Sequence, residues 1–305
     1  VLLHALPIYH VHGLFVALNT CLMASAEILF HQKFDTDAVL DTLPEATLMM
    51  GVPTFYTRLL ASDRLTAERC RKMRLFIAGS APLLDETFRA FEERTGHAIL
   101  ERYGMTETGM LCSNPLEGER RPGTVGPPLA DVDIRVADEN GAILEAGEVG
   151  VLEVRGPNIF KGYWRMPEKT KEEFRKDGFF ITGDISRIDE DGYVRIVGRA
   201  KDMIISGGFN VYPKEIEQVI DQQKGVSESA VIGLRHPDFG EAVAAVVTAG
   251  GDHLSEETVI EACRAELAGF KVPKAVFLVD ELPRNAMGKV QKNQLRERFA
   301  STFLS

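Results

Sequence analysis

The first hundred residues alternate short apolar runs with helical stretches, and this alternation constrains the fold more than any other feature. The apolar runs are VLLHAL, EILF, TLMMG and RLFIAG, and helical patterns over 35–43, 53–62 and 85–95 lie between them. Continuously apolar strands joined by helices are typical of a parallel sheet with helices on both faces. We therefore predict a doubly covered parallel α/β sheet up to about residue 103.

The pattern changes twice further along the chain. Between 123 and 199, short alternating runs such as DVDIRVAD and YVRIVG are divided by Asn-Gly and Asp-Gly turns, which predicts a β-rich subdomain of antiparallel hairpins. After Arg199, helices over 213–222 and 255–268 alternate with strands and predict a small α+β domain. A chain of 305 residues exceeds what one core usually organises. We expect a large domain over 1–200 and a small C-terminal domain over 201–305.

Charge and cysteine content exclude several classes of protein. The net charge is −10, from 35 Lys and Arg against 45 Asp and Glu, which argues against nucleic-acid binding through bulk charge. The four cysteines are far apart and form no C-x-x-C pair, so neither a disulfide framework nor a zinc site is supported. A reducing, cytoplasmic location is the expectation.

The N-terminal sequence opens directly into an apolar strand at Val1, without a cationic leader. We interpret the chain as beginning inside a domain. A transit peptide could then have been lost with the preceding residues, so mitochondria are the alternative location. The apolar stretch over 14–30 is interrupted by Asn19 and Glu27 and is too short to span a membrane. A core helix followed by a strand is the better interpretation.

Two candidate motifs follow strands of the predicted sheet. AGSAPL, Ala78 to Leu83, contains a Gly-Ser turn that would let the backbone approach a flat ligand. In YGMTET, Tyr103 would stack on a base, Thr106 would donate to a phosphate, and Glu107 suits magnesium bound with phosphate oxygens. Taken alone, each motif also fits an ordinary exposed turn.

Two more motifs lie further along the chain. In TGD, the Asp184 carboxylate would accept hydrogen bonds from a ribose diol, with Arg199 as a second donor. PRNAMGK presents Lys289 after Gly288, so that one mobile point charge extends from a loop. A solvated surface is the alternative for each of these residues.

Together the motifs resemble the adenylate-forming superfamily of acyl-CoA synthetases, peptide-synthetase adenylation domains and luciferases. PIYHVHG, YGMTE, TGD, GRAKDMIISGG and PRNAMGK carry the resemblance, which covers the whole chain. It implies a large N-terminal domain, a small mobile C-terminal domain, and formation of an acyl-adenylate from ATP before coenzyme A displaces AMP. The phosphate loop that precedes PIYHVHG in the family is missing, so the chain resembles the later part of such an enzyme.

The resemblance also implies roles for individual residues. Lys289 bridges the carboxylate and the α-phosphate, Glu107 holds Mg²⁺, and Lys201 is the hinge between the domains. A stretch of small residues is implied to approach the pantetheine of coenzyme A: Ser206, Gly207 and Gly208. The implied nucleotide-binding residues are Gly79, Ser80, Ala81, Pro82, Tyr103, Gly104, Met105, Thr106, Asp184 and Arg199.

Arginines in the expected acyl pocket suggest which acid is activated. Arg102 directly precedes YGMTE, Arg58 lies on the GVPTFYTRLL helix, and His10 would be nearby. An apolar acyl chain gains nothing from buried guanidinium groups, whereas the second carboxylate of a diacid would pair with them. The match is closest to the malonate–CoA ligases, which predicts malonate, with methylmalonate tolerated, as the small-molecule substrate and no protein, nucleic-acid or membrane partner.

Three alternatives stay open. Both arginines would be structural in a synthetase for fatty or aromatic acids, and Arg58 alone would simply face solvent. A peptide-synthetase adenylation domain would require a carrier segment, which does not follow Lys289 in this sequence. Without its phosphate loop, the chain would also fit a nucleotide-binding module that lacks catalysis.

Overall fold

The computed structural model describes residues 1–250, 254–285 and 289–304. These residues form two compact units, the first made of 1–182 and 186–196, the second of 183–185 and 197–305. The domain limits expected at 200 and 201, with a hinge at Lys201, stay a prediction.

A six-stranded sheet organises the start of the first unit. Its strand order is β2-β1-β3-β4-β5-β6, and every neighbouring pair is parallel except β5 and β6. The predicted parallel α/β sheet is therefore confirmed, with an antiparallel hairpin at one edge. The strands are β1 (Leu2–His4), β2 (Ile28–Phe30), β3 (Leu48–Gly51), β4 (Leu75–Ala78), β5 (Leu100–Met105) and β6 (Gly109–Ser113).

Capping residues, a proline and a glycine mark the ends of the helices in this unit. Asp35 accepts from the Ala38 amide at 3.0 Å and caps the N-terminus of one helix, Pro53 starts another, and Gly96 at φ +77° follows a third. Tyr56, Phe76 and Phe91 are fully buried between these helices and the sheet. The helices are α1 (Thr20–Met23), α2 (Thr36–Thr42), α3 (Pro53–Leu60) and α4 (Asp85–Thr95), with a π-helical segment at His12–Asn19 and a 3-10 turn at Leu43–Glu45.

The apolar stretch over 14–30 is only partly a core element. The π-helical segment and α1 bury Val16, Ala17 and Cys21, while Phe15 and Met23 are 59% and 88% exposed. The expected core helix followed by a strand is confirmed, but only one side of the helical segment packs, because a composition that is apolar all round does not specify which face is buried. No helix in the described part of the chain has the length and apolar character needed to cross a bilayer.

The predicted β-rich region forms a four-stranded sheet in the order β10-β9-β8-β7. β7 and β8 are antiparallel, as expected for hairpins. The fully buried Glu153 on β8 pairs with Arg135 at 2.8 Å and Arg175 at 2.6 Å. The elements are β7 (Asp133–Ala137), β8 (Gly150–Arg155), α5 (Pro167–Glu172), β9 (Phe180–Ile188) and β10 (Val194–Arg199).

The second unit is α+β, as predicted. Its sheet runs in the order β12-β11-β14-β13, with β15 parallel to β14. Alternate residues of β13 face opposite sides, so that Val231 packs in the cluster with α6 and α7 while Ile232 packs with α8. The elements are a 3-10 turn (Ala200–Asp202), β11 (Ile204–Ser206), β12 (Phe209–Val211), α6 (Pro213–Asp221), β13 (Val226–His236), β14 (Gly240–Ala249), α7 (Glu256–Glu266), a 3-10 turn (Gly269–Lys271), β15 (Ala275–Val279) and α8 (Lys292–Arg298).

Candidate functional site

The carboxyl ends of the parallel strands bring three separate sequence segments together. The segment after β1 carries His12, the turn after β4 carries Gly79 and Ser80, and Arg102 lies on β5. His12 Nδ1 and Ser80 Oγ form a hydrogen bond of 3.0 Å. A Cβ placed on Gly79 would lie 3.4 Å from both His12 Cε1 and the Arg102 carbonyl oxygen. Ligands of open α/β sheets bind at this edge.

The Gly79-Ser80 turn has an unusual backbone. Ser80 adopts φ +71°, a conformation that side chains other than glycine rarely take. Further along the loop, the Leu83 amide donates to Glu101 Oε1 at 3.1 Å, which ties the segment to β5. Ala81 is half-buried and Pro82 is exposed. The loop is thus held by the contacts of Ser80 and Leu83, and its role in binding a flat ligand stays a prediction.

His12 is a buried neutral base that the sequence motif did not single out. It is 6% exposed, and its amide donates to His10 Nδ1 at 3.2 Å. Burial, together with the neighbouring His10, Arg102 and His4, lowers the pKa of His12 to about 4. Around neutral pH the imidazole therefore adds no positive charge beside Arg102.

The two predicted arginines lie in different environments. Arg102 is half-buried, donates from Nε to Ser113 Oγ at 3.2 Å, and has a pKa lowered by burial. Arg58 is exposed in the last turn of α3, whose buried face carries Phe55 and Leu59. Within the described residues the Arg58 side chain makes no hydrogen bond or ion pair, so its joint role with Arg102 stays a prediction.

The YGMTE motif forms the hairpin between β5 and β6. The strand continues to Met105, so Tyr103 and Gly104 lie within it instead of following it as expected. The register places Gly104 opposite Met110, and a Cβ on Gly104 would overlap the Gly109 carbonyl oxygen. Close approach of two strands is a sufficient structural reason for that glycine.

The tip of this hairpin presents the predicted metal ligand. Thr106 is exposed and Glu107 is half-buried. Thr108 closes the turn, because its amide donates to the Met105 carbonyl at 3.2 Å and its hydroxyl accepts from the Met105 amide at 3.3 Å. The turn therefore holds Glu107 on an ordered backbone.

The segment that precedes α5 is hydrogen-bonded to this hairpin, and no sequence motif indicated these contacts. The Phe160 amide donates to the Glu107 carbonyl at 2.8 Å, and Asn158 Nδ2 donates to the Thr108 carbonyl at the same distance. The Tyr163 hydroxyl lies 3.3 Å from Glu107 Oε1 and 2.9 Å from Glu173 Oε2. Burial and the nearby Glu173 raise the pKa of Tyr163, so its hydroxyl stays a donor. These partners lie far apart in the chain, so no local sequence pattern indicates that they are in contact.

In the second unit the TGD aspartate pairs with the predicted arginine. Asp184 is 2% exposed, and its Oδ1 lies 2.6 Å from Arg199 Nε. Gly183 before it adopts φ +71°. A carboxylate has two oxygens, so it can accept hydrogen bonds beyond this ion pair.

Lys289 lies near this pair, and both charges of the pair affect the pKa of its ammonium group. Its ammonium has a lowered pKa, first because surrounding protein replaces part of its hydration and then because Arg199 is near, while Asp184 opposes the shift. The Lys289 amide donates to Asn285 Oδ1 at 3.0 Å, which orders the described part of the loop. Ala286, Met287 and Gly288, the middle of PRNAMGK, lie outside the described residues.

The predicted hinge and coenzyme A residues lie at the start of the second unit. Lys201 is exposed, and the adjacent Asp202 accepts from Arg296 at 2.8 Å. Gly207 and Gly208 form the turn between β11 and β12, with φ +58° and +84°. A two-residue hairpin turn with both φ positive favours glycine, so the hairpin alone accounts for the pair.

The donor set at the hairpin tip suits a magnesium ion bound together with phosphate. No group of three or more His, Cys, Asp or Glu side chains that could hold a metal occurs in the ranges the structure covers. Magnesium typically takes one or two carboxylates and completes its shell with water and substrate phosphates. Glu107 offers such a carboxylate, beside the exposed Thr106 hydroxyl.

Comparison with known proteins places these elements in a family. Residues 1–164 match the family model of AMP-binding enzymes, and residues 215–289 match that of the AMP-binding enzyme C-terminal domain. The malonate–CoA ligase of Arabidopsis thaliana is 40% identical over 97% of this chain and 53% of its own length. A long-chain-fatty-acid–CoA ligase of Yersinia pestis is 38% identical over 96% of this chain and 53% of its own.

A solved structure is similar to this chain over nearly its whole length. ATP-bound MatB from Rhodopseudomonas palustris superposes with a TM-score of 0.97 at 60% identity, covering 99% of this chain and 60% of that one. The chain spans about half the length of the curated relatives it matches. The predicted resemblance is confirmed, and the chain belongs to the AMP-binding enzyme family.

Proposed function

We propose that the whole protein is an AMP-forming acid–thiol ligase that activates malonate, and also methylmalonate, to the coenzyme A thioester. A carboxylate oxygen of the acid attacks the α-phosphorus of ATP, and the bond to pyrophosphate breaks. The thiol sulfur of coenzyme A then attacks the acyl carbon and displaces AMP. The first step creates a good leaving group where the free acid has a poor one.

The guanidinium of Arg102 carries the choice of a diacid. It is half-buried, its hydrogen bond goes to the neutral Ser113 hydroxyl, and no carboxylate in the described ranges forms an ion pair with it. A buried cation without an anion is unfavourable, and its lowered pKa reflects that cost. The distal carboxylate of malonate would supply the missing anion in bidentate geometry.

The surroundings of Arg102 are consistent with a small anionic ligand. His12 is neutral around pH 7, so Arg102 and the exposed Arg58 are the cations proposed to meet the distal carboxylate. His10, two residues before His12 in the PIYHVHG motif, is half-buried and is proposed to contact the acid. The known relatives include a malonate–CoA ligase, which supports this choice.

Residues for ATP are proposed on both the hairpin and the TGD strand. Glu107 would hold Mg²⁺, which when bound neutralises charge on the phosphate oxygens, and Thr106 would donate to a phosphate. Asp184 and Arg199 would hold the ribose, and Lys289 would stabilise the charge that develops between the acid and the α-phosphate. The adenine would be framed by Gly79, Ser80, Ala81, Pro82 and Tyr103. Gly104 and Met105 are proposed to bind the nucleotide as well.

Thioester formation is assigned to the start of the second unit. Lys201 is proposed as the hinge, and Ser206, Gly207 and Gly208 as the backbone that the pantetheine passes. Lys201→Pro would then slow transfer to coenzyme A more than adenylation, because proline restricts the backbone at the hinge. Equal loss of both half-reactions would contradict the hinge assignment.

The decisive experiment compares acids in the whole protein. We expect malonate to support thioester formation and octanoate to fail. Arg102→Gly should raise the KM for malonate and lower kcat/KM about a hundredfold, because a charged hydrogen bond is worth roughly 1.5–3 kcal/mol. Arg58→Ala should act in the same direction. Arg89→Ala, an exposed arginine on α4, is the matched control.

Two other functions have specific support. The fatty-acid ligase of Yersinia pestis favours a long-chain substrate, and normal malonate kinetics in both arginine variants would favour that function. A nucleotide-binding role without catalysis for these 305 residues is favoured by their span, which covers 53% of the length of the related malonate–CoA ligase. Pyrophosphate release from ATP and malonate by these 305 residues alone would exclude that second alternative.

A further inference from the structure

We propose that Tyr163 is a positioning residue for Glu107, orienting one carboxylate oxygen so that the other faces the divalent cation that accompanies ATP. The inference rests on the proposed function, in which Glu107 is the metal ligand. Tyr163 is distant in sequence from the motif and would not itself touch the substrate.

The contact geometry supports an orienting role. The Tyr163 hydroxyl lies 3.3 Å from Glu107 Oε1 and is half-buried, while Oε2 has no hydrogen bond among those the structure records for the described residues. A carboxylate that accepts on one oxygen is fixed in rotation, which leaves the other oxygen directed for a ligand. Partners of this kind outside the metal's own ligand shell typically change metal affinity 10- to 100-fold.

The backbone around Tyr163 is held against the hairpin that carries Glu107. Phe160 donates from its amide to the Glu107 carbonyl at 2.8 Å, and the Phe160 ring packs edge-on against the Tyr163 ring at 4.8 Å. The Tyr163 amide donates to Thr170 Oγ1 at 2.9 Å. The phenol therefore reaches Glu107 from an ordered segment.

Glu173 shares the same hydroxyl. Its Oε2 lies 2.9 Å from the Tyr163 oxygen, and its other oxygen forms an ion pair with Lys169. A phenol has one proton, so the two carboxylates compete for it. A glutamine at 173 would donate to the phenol oxygen instead, which directs the phenol proton to Glu107. Loss of the Tyr163 hydroxyl should therefore weaken metal binding, whereas replacing Glu173 by glutamine should not.

The test measures metal affinity directly. Mn²⁺ is titrated by electron paramagnetic resonance against the whole protein saturated with an ATP analogue that has a methylene bridge between the α- and β-phosphorus. Tyr163→Phe, which keeps the packed ring, should weaken Mn²⁺ binding about tenfold. Glu173→Gln should bind Mn²⁺ at least as tightly as the unaltered protein. Tyr193→Phe, whose hydroxyl donates to the Glu119 carbonyl, is the matched control and should bind normally.

A second readout separates positioning from general damage. AMP binding without metal should be unchanged in Tyr163→Phe. Normal Mn²⁺ affinity in that variant, or an equal loss of AMP binding, would overturn the positioning role. Glu107→Gln distinguishes the underlying assumption, because unaltered Mn²⁺ binding there would overturn the ligand role of Glu107 itself.

Discussion

His12 Nδ1 lies 3.0 Å from Ser80 Oγ and joins the segment after β1 to the turn after β4. Ser80 adopts φ +71°, so a side chain from the PIYHVHG motif contacts the strained backbone of the loop proposed for the adenine. Strained backbone persists where the surrounding contacts over-determine it.

We expect Ser80→Gly to be more stable than Ser80→Ala by about 1 kcal/mol. Both variants lose the bond to His12, but only glycine relieves the left-handed backbone. Urea denaturation measures the difference. At the exposed helical position Glu93 the order should reverse, with alanine more stable than glycine. The same order at both positions would contradict the strain.

Stability should fall as pH drops from about 6.5 to 4 because of His12. Its folded-state pKa of about 4 lies below the unfolded value, so the neutral form stabilises the fold above pH 6.5 and that stability is lost on acidification. The groups facing it are His10, Arg102 and His4, and the slope is at most about 1.4 kcal/mol per pH unit.

His12→Gln should reduce this acid slope, measured as the unfolding free energy at several pH values. His4 is also buried with a lowered pKa and will retain part of the slope. His31→Gln, in the same unit, is the control and should keep the slope of the unaltered protein. An unchanged slope in His12→Gln would show that the histidine does not titrate as argued.

Lys289→Ala should slow adenylation about a hundredfold and leave thioester formation from the acyl-adenylate nearly intact. The lysine is proposed to stabilise charge only in the first step, and such a contact is worth on the order of 3 kcal/mol. Half-reaction kinetics with pyrophosphate exchange check the first step. Lys224→Ala, an exposed lysine of the same unit, should be active in both steps. Equal slowing of both steps would contradict the assignment.

Asp221→Asn should stabilise the second unit near pH 7 by about 1 kcal/mol. The pKa of Asp221 is raised to about 6, chiefly by burial and also by Glu217 and Glu228, against the opposing effects of the Ser229 hydroxyl and Lys214. The folded state therefore favours the protonated acid, and this stability is present below about pH 4 and lost as pH rises through 6. An amide keeps the Ser229 contact without the charge.

Thermal unfolding at pH 7 and pH 4 checks this second pH effect. The gain should be present at pH 7 and absent at pH 4, opposite to the His12 effect. Asp63→Asn, an aspartate of the first unit, serves as the comparison. A gain of equal size at both pH values would show that the charge of Asp221 is not responsible.

The sequence predicted the architecture because the signals involved are local. Apolar periodicity identifies a strand from a few residues, and it located β1, β3 and β4 as well as the helices that separate them. The family resemblance rests on motifs that are each contiguous in the chain.

Local sequence patterns did not predict the end of a strand or the buried face of a helix where these depend on another segment of the chain. β5 continues through Gly104 to Met105 because β6 pairs with it, and the YGMTE letters carry no sign of that pairing. The stretch after His12 is apolar on all sides, yet Phe15 and Met23 are exposed while Val16 packs inside. Only the packed chain decides which face is buried.

The sequence by itself determined the order of strands and helices, the family and the candidate residues of each motif. The tertiary structure decided that His12 is neutral and bonded to Ser80, that Arg102 is half-buried while Arg58 is exposed, and that Tyr163 reaches Glu107. These properties arise from hydrogen bonds and desolvation between residues far apart in the chain. Such terms are set by the fold, because a side chain's pKa and direction depend on its neighbours in space.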